Sequence, residues 1–271
     1  MIFAKIYFLF CQSYLSTNTI SISHIIYVHK THINTSNSYL LTMSDYNLRL
    51  YYFGIAGKAE SMRLAFNYAG INFEDYIMNR EEFIAKKESG ELGFGQVPAL
   101  KVDKKGDSSD QSNLLVQSGS IMRFIGEIDQ SGKQLFPNDP VARAKIGAII
   151  DQEADCFGPF RTVNYRSRMG LASIEEDQAA KLKNEINETF HNMQFEFLDR
   201  LLNSSKSGWI AGTENASIAD FMWVPTLMAV QKGWTGGCQK LTPTLTKYVE
   251  KFLALPENQK YYETHEYKIW W

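Results

Sequence analysis

Polar and apolar residues alternate from Tyr46 to Tyr52. Tyr46, Leu48, Leu50 and Tyr52 share one face, and Asn47, Arg49 and Tyr51 the other. A period of two predicts a strand. From Gly57 the period lengthens. Ala59, Met62, Ala65, Phe66 and Ala69 recur at helical spacing, and Gly70 stops the helix. Residues 73–78 read as a second strand, 81–88 as a short polar helix, and 96–102 as a third strand with Pro98 near its start. A strongly polar turn over 103–110 leads to a short apolar strand at Leu114, Leu115 and Val116. Ser118 then caps a helix carrying Ile121, Met122, Ile125 and Ile128. The order is β-α-β-α-β-β-α. The first two strands, joined by a crossover helix, are expected to be parallel. The last two, joined by a polar turn, are expected to be antiparallel. A mixed four-stranded sheet with helices on both faces follows.

Residues 131–140 (Ser-Gly-Lys-Gln-Leu-Phe-Pro-Asn-Asp-Pro) read as a linker with two prolines. Beyond it the pattern is helical throughout. Residues 141–168 hold a long helix with Ile146, Ile149, Ile150 and Ala154 inward. Residues 174–202 hold another, with Leu182, Ile186, Phe190, Met193, Phe197 and Leu201 at three- and four-residue steps. Ser217-Ile218-Ala219-Asp220 opens a third as a variant capping box. Residues 243–255 and 257–265 read as two more. The expected organisation is an extension over 1–42, an α/β domain over 43–130, the linker over 131–140 and an all-α domain over 141–271.

Composition changes this picture at one end only. The 271 residues are 44% hydrophobic and 21% charged, with a net charge of −2, an ordinary globular balance that asks for neither nucleic acid nor an anionic membrane. Residues 1–42 hold no Asp or Glu, only Lys5 and Lys30 as cations, and 3 of the 5 histidines. A signal peptide would use residues 6–11 as its apolar run, but that run is short and has no clear cleavage site. A mitochondrial presequence would suit the missing acids, yet there is no arginine. The plainest reading is an upstream extension, with Met43-Ser44-Asp45 as the natural start. Cys11, Cys156 and Cys238 are widely spaced, which indicates neither a disulfide framework nor a zinc site and fits a reducing, cytoplasmic compartment. No apolar run approaches the roughly 18 residues of a membrane helix.

The candidate chemistry gathers where the first strand meets its helix. Strand ends leave a crevice, and helix starts offer free N–H groups. Tyr52 sits at that junction, one short loop before Gly57-Lys58-Ala59-Glu60. It is either a working phenol or a buried core aromatic; Tyr51, on the opposite face, is the register alternative. Ser118 is either a plain N-cap or, with the helix's free N–H groups, a carboxylate site. Pro98 belongs at an edge, a bulge or a strand's first residue, or else follows a cis bond. Asp151 and Asp155 stand one helical turn apart, as surface acids often do. His191 and His265 have no ligand spacing, and no metal is implied.

Together these segments resemble the cytosolic glutathione transferases. Tyr52-Phe53 followed by Gly57-Lys58-Ala59-Glu60 is similar to the family's Tyr-Phe and Gly-Arg-Ala-Glu. Phe94-Gly95-Gln96-Val97-Pro98-Ala99-Leu100 resembles its Phe-Gly-Lys/Gln-Val/Ile-Pro-x-Leu segment, where the proline is cis. Gln117-Ser118 with Ile121 and Arg123 resembles its Gln/Glu-Ser-x-x-Ile-x-Arg. Gly212 with Ser217-Ile218-Ala219-Asp220-Phe221 resembles the capping box of its second domain. The likeness covers residues 43–271 and is greatest to the sigma class, which includes glutathione-dependent prostaglandin isomerases and lens crystallins. It implies a thioredoxin-like first domain, an all-α second domain, a homodimer and a role in detoxification.

The resemblance also implies a site. Glutathione is the co-substrate, and its thiol, with a pKa near 8.5, is only a few per cent thiolate at neutral pH. A tyrosine hydroxyl stays protonated there and can donate to the sulfur, so Tyr52 becomes the catalytic residue. Gln117 and Ser118 would hold the γ-glutamyl carboxylate. Gly95, Gln96, Val97 and Pro98 would present backbone to the cysteinyl unit, as a strand does. Phe83 and Lys87 match positions at the glycyl end, although Phe83 replaces the usual tryptophan and residues 88–93 are longer than the family's stretch. Lys58 replaces the usual arginine, keeping the charge and losing the planar fork. Asp155 would reach glutathione bound to the other subunit. A small hydrophobic electrophile would lie between the domains, against Phe53, Ile55 and Ala56 from the first loop and Cys156, Phe157 and Phe160 from the long helix, with Trp270 and Trp271 as a cover. The implied reaction is conjugation. Isomerase or peroxidase chemistry, or a non-catalytic crystallin-like or carrier protein, are the alternatives.

Overall fold

The computed structural model describes residues 46–105, 113–235 and 240–265. Strand β1 (Tyr46–Tyr52) leads through a single 3₁₀ turn, Gly57–Ala59, into helix α1 (Glu60–Ala69). Gly70 ends α1 with φ 67°, the left-handed conformation glycine tolerates best. Strand β2 (Glu74–Ile77) pairs parallel to β1, with Tyr52 opposite Ile77. Asn79 caps helix α2 (Arg80–Glu88) in a reciprocal box with Glu82. Strands β3 (Ala99–Lys104) and β4 (Asn113–Val116) are antiparallel, and β3 is antiparallel to β1. The sheet runs β2-β1-β3-β4 and is mixed, as the element order predicts. The third strand begins at Ala99, after the proline, because Pro98 has no N–H to give a ladder. The predicted turn over 103–110 lies partly outside the described residues.

Helix α3 (Ser118–Glu127) follows β4. Ser118 is its first residue, not its cap. Gln117 takes the cap position with φ 72°. The long helix α4 (Pro140–Asn164) stops four residues before the predicted end. The predicted helix over 174–202 is broken into α5 (Glu176–Glu185), a π-helical segment (Ile186–His191) and α6 (Asn192–Ser204). A π turn holds an extra residue, so the inward face moves on by about one position beyond it. Met193, Phe197 and Leu201 therefore point outward, at 44%, 41% and 40% exposure, while Gln194, Phe195, Leu198 and Leu202 are buried. Leu182 is likewise exposed. In α4 the inward stripe runs Ile146, Ile150, Glu153, Phe157 and Phe160; Ala154 is exposed.

Helix α7 (Ile218–Gln231) starts from the predicted capping box of Ser217 and Asp220. Helices α8 (Pro243–Leu253) and α9 (Pro256–Thr264) close the described chain. Helix α7 is buried along nearly all its length and packs on both α1 and α4. The main core is thus continuous from one face of the sheet into the helical region. A second, smaller core of Tyr51, Met78, Leu92 and Ala99 covers the sheet's other face.

Candidate active site

The site grows from the break between β1 and α1. Tyr52 ends the strand only 7% exposed. Its hydroxyl accepts the backbone N–H of Lys58 at 3.0 Å. Gly57 makes that approach possible. Its φ is +46°, and a Cβ there would stand 2.3 Å from the Tyr52 hydroxyl oxygen. One lone pair of the phenol is thereby used, and its proton remains to be donated. Burial raises the Tyr52 pKa above the ordinary value, against the opposing pull of the Lys58 N–H. The group is a neutral donor at physiological pH.

An aromatic chain runs from it. The Phe53 ring lies 5.7 Å from Tyr52 and 5.3 Å, edge-on, from Phe83 of α2. Phe83 thus supports the loop through Phe53. Lys87, exposed on the same helix, lies across Gly95: a Cβ at Gly95 would meet its Cγ at 3.1 Å. Gly95 and the exposed Gln96 lead to a cis Val97–Pro98 peptide at the start of β3.

On the other side, Lys58, Gln117, Ser118 and Phe157 line one cavity of about 260 Å³. The start of α3 opens onto it, where free N–H groups favour an anion. Gln117 holds a backbone conformation rare for a residue with a side chain, the sort of strain that gathers at binding sites. The Lys58 ammonium pairs with Glu153 of α4 and lies 5.7 Å from the Phe157 ring centre. Glu153 is fully buried and also accepts the Thr226 hydroxyl at 2.7 Å.

Other expected residues are placed differently. Ala56, Phe157 and Phe160 are buried, and Phe160 packs into the core beside Trp234. Phe157 forms the wall beneath Lys58. Ile55 is half-buried. Cys156 is buried in the core, which pushes its thiol pKa far up and leaves it inert. Asp155 is exposed on α4, outside the residues that line the cavity. Asp151 lines it instead, paired with Arg123 at 2.7 Å. Trp270 and Trp271 lie outside the described residues.

Two charged residues escape a reading by apolar spacing. Glu153 sits at a position its neighbours Ile150 and Phe157 mark as inward. Arg63, 1% exposed, sits four residues after Ala59 and three before Phe66 on the inward face of α1. A charge inside an apolar stripe was the available signal for both.

A thioredoxin-like α/β region with a mixed four-stranded sheet, joined to a helical bundle, defines the glutathione-transferase fold class. Residues 164–265 match the family described as glutathione S-transferase, C-terminal domain. Glutathione S-transferase 1 of Ascaris suum is 30% identical over 217 residues, covering 79% of this chain and 94% of that protein. Hematopoietic prostaglandin D synthase of Gallus gallus is 30% identical over 177 residues, 65% of this chain and 76% of that protein. The crystal structure of a glutathione S-transferase of the hookworm Necator americanus, described as monomeric, aligns with a TM-score of 0.65 at 28% identity, over 82% of this chain and 100% of that one. The chain belongs to the glutathione S-transferase family and is a glutathione transferase.

Proposed function

We propose that the enzyme conjugates the thiolate of glutathione to small hydrophobic electrophiles, with Tyr52 as the donor to the sulfur. The observation that carries this is the Tyr52 hydroxyl, buried, held protonated and already bonded on one side by the Lys58 N–H. A donor fixed in a poorly solvated place favours the charged form of what it meets. Attack by the thiolate forms the carbon–sulfur bond and expels the electrophile's leaving group, or opens an activated double bond or ring. The cavity at Lys58, Gln117 and Ser118 suits the γ-glutamyl carboxylate, through the start of α3 and the lysine charge. Gly95, Gln96, Val97 and Pro98 would meet the cysteinyl backbone, and Lys87 and Phe83 the glycyl end. The electrophile would enter over Phe53 and Ile55, which keep partial exposure. A cytoplasmic setting, where thiols are kept reduced, suits the reaction.

A homodimer is part of the proposal. Phe94 is 66% exposed, and a groove of about 710 Å³ beside α4 and α6 is lined by Ile149, Phe197, Leu198 and Leu201. Exposed apolar surface of this kind fits a partner, here a second copy of the chain. Asp155, exposed on α4, would then reach the neighbour's glutathione. Sedimentation equilibrium tests this, and a monomer at micromolar concentration would remove Asp155 from the site.

Turnover of glutathione against a panel of aryl halides, hydroperoxides and an endoperoxide tests the reading. Conjugation of at least one aryl halide is expected. Glutathione binding without turnover of any would favour the carrier alternative.

A further inference from the structure

The loop between Tyr52 and Gly57 is short, and its carbonyls do not join the sheet. Three of them, those of Phe53, Ile55 and Ala56, turn to one side chain, although that of Ala56 also accepts the Glu60 N–H at 3.1 Å. Arg63 donates from Nη1 to the carbonyls of Ile55 at 2.8 Å and Ala56 at 3.2 Å, and from Nη2 to that of Phe53 at 3.2 Å. Its Nε bonds Asp75 Oδ2 at 2.9 Å on β2, and Glu60 lies 3.7 Å from Nη1. The guanidinium stands 5.7 Å from the centre of the Tyr52 ring. A planar fork with five fixed donors can hold three carbonyls and a carboxylate at once; an ammonium cannot.

We infer that Arg63 is a positioning residue for the Tyr52 hydroxyl, fixing the loop of residues 53–56 so that the Lys58 N–H meets the phenol and aims its proton outward. The inference rests on the proposed role of Tyr52. Phe53 must present its ring to Phe83, and Ala56 must end where Gly57 can pass under the hydroxyl. Buried carbonyls without donors would draw water or shift the loop. A shift of the loop moves Lys58, whose N–H fixes the phenol's acceptor side. The phenol would then sample several orientations, and its hydrogen bond to the sulfur would weaken without any atom of Tyr52 being changed.

The test separates this from simple stabilisation. Arg63→Lys keeps the charge and loses the fork. Asp75→Asn leaves Arg63 whole and loosens its anchor, and Asp75 is partly exposed, so the fold tolerates the change more easily. The absorbance of bound glutathione thiolate is titrated in the wild type and in each folded variant. Arg63→Lys is expected to raise the bound thiol's pKa by about one unit, the net worth of roughly one hydrogen bond. Asp75→Asn is expected to raise it by a smaller amount in the same direction. It also reports alone if Arg63→Lys fails to fold. At pH 7 kcat falls several-fold with KM for glutathione nearly unchanged. If both variants lose thermal stability but keep the wild-type thiol pKa, Arg63 is structural only and the inference falls. If the wild type itself leaves the thiol at its free-solution pKa, the role of Tyr52 falls and takes the inference with it.

Discussion

Replacing Tyr52 by phenylalanine removes one hydroxyl and little else. The ring stays between Phe53 and the Arg63 guanidinium, and the backbone of β1 keeps its partners. What is lost is the acceptor of the Lys58 N–H and the proposed donor to the sulfur. A hydrogen bond to a charged group contributes about 1.5–3 kcal/mol, which corresponds to about one to two pKa units on the bound thiol. With a free value near 8.5, the wild-type complex would titrate at about 6.5–7.5. The thiolate share at pH 7 would be roughly 25–75% in the wild type and roughly 3% in the variant. Turnover at pH 7 should therefore fall about 8- to 25-fold if thiolate population alone sets the rate. The ratio should shrink towards one by about pH 9.5, where both complexes are ionised. Glutathione affinity at pH 7 should fall only about 1.3- to 4-fold, the linkage counterpart of the same pKa shift, because the proposed carboxylate site at Ser118 is untouched. The assay is thiolate absorbance across pH, paired with initial rates at each pH. Equal thiol pKa values in the two proteins would refute the donor role. A rate ratio independent of pH would refute the population argument.

Gly57→Ala should lower stability by about 1–3 kcal/mol, because the new Cβ must displace the Tyr52 hydroxyl and adopt a left-handed φ; urea midpoints measure this, and an unchanged midpoint contradicts the geometry. Asp220→Ala removes the acceptor of four bonds, from the N–H of Ile210 and Ser217 and the hydroxyls of Ser217 and Tyr248. The expected loss is about 3 kcal/mol or more, with those donors stranded in a buried place; calorimetry reads it. Alkaline pH should weaken the fold. Burial raises the pKa of Tyr52 and Tyr248, and pushes Tyr68 up to about 12. A folded-state value above the unfolded one means stability that is complete below about pH 10 and lost as pH climbs through the folded values. Chemical unfolding at pH 8, 9.5 and 11 checks the sign, and a flat profile rejects it.

The strands and the first helix were legible because their periodicity meets no competing constraint. Leu48 and Leu50 alternate into a core, and Gly70 stops α1 through its left-handed φ. The phase of the helix pair after residue 174 was not legible. Its three- and four-residue rhythm continues across the π segment, while the face that is buried does not. Met193, Phe197 and Leu201 fit the rhythm and are exposed; Gln194 breaks it and is buried. Motif spacing pointed to Tyr52, Gly57, Gln117 and Ser118, whose places are set locally by the junctions of β1 with α1 and of β4 with α3. It failed for Glu153 and Arg63, whose partners lie 95 residues and, for the Asp75 end of the fork, 12 residues away in the chain. A contact between distant segments leaves no local rhythm to read. Phe157 and Phe160 show the converse limit. Apolar spacing marked them as facing something, and core and open pocket give the same pattern.

Lys58 joins the two regions in a way that bears on the chemistry. Its backbone N–H touches the Tyr52 hydroxyl, and its side chain ends on Glu153, which is fixed in turn by Thr226 of α7. The α/β region thus carries the phenol, while the side chain of the residue bonded to it is held by the helical region. A buried ion pair of this kind adds little net stability over apolar residues of the same volume. Its effect here is geometric: it holds Lys58 at the wall of the cavity beside Gln117 and Ser118. The ammonium also lies 5.7 Å from the centre of the Phe157 ring, so the same residue meets a carboxylate and an aromatic face of α4. The position of Lys58 is therefore a property of α4 as much as of the loop that carries it.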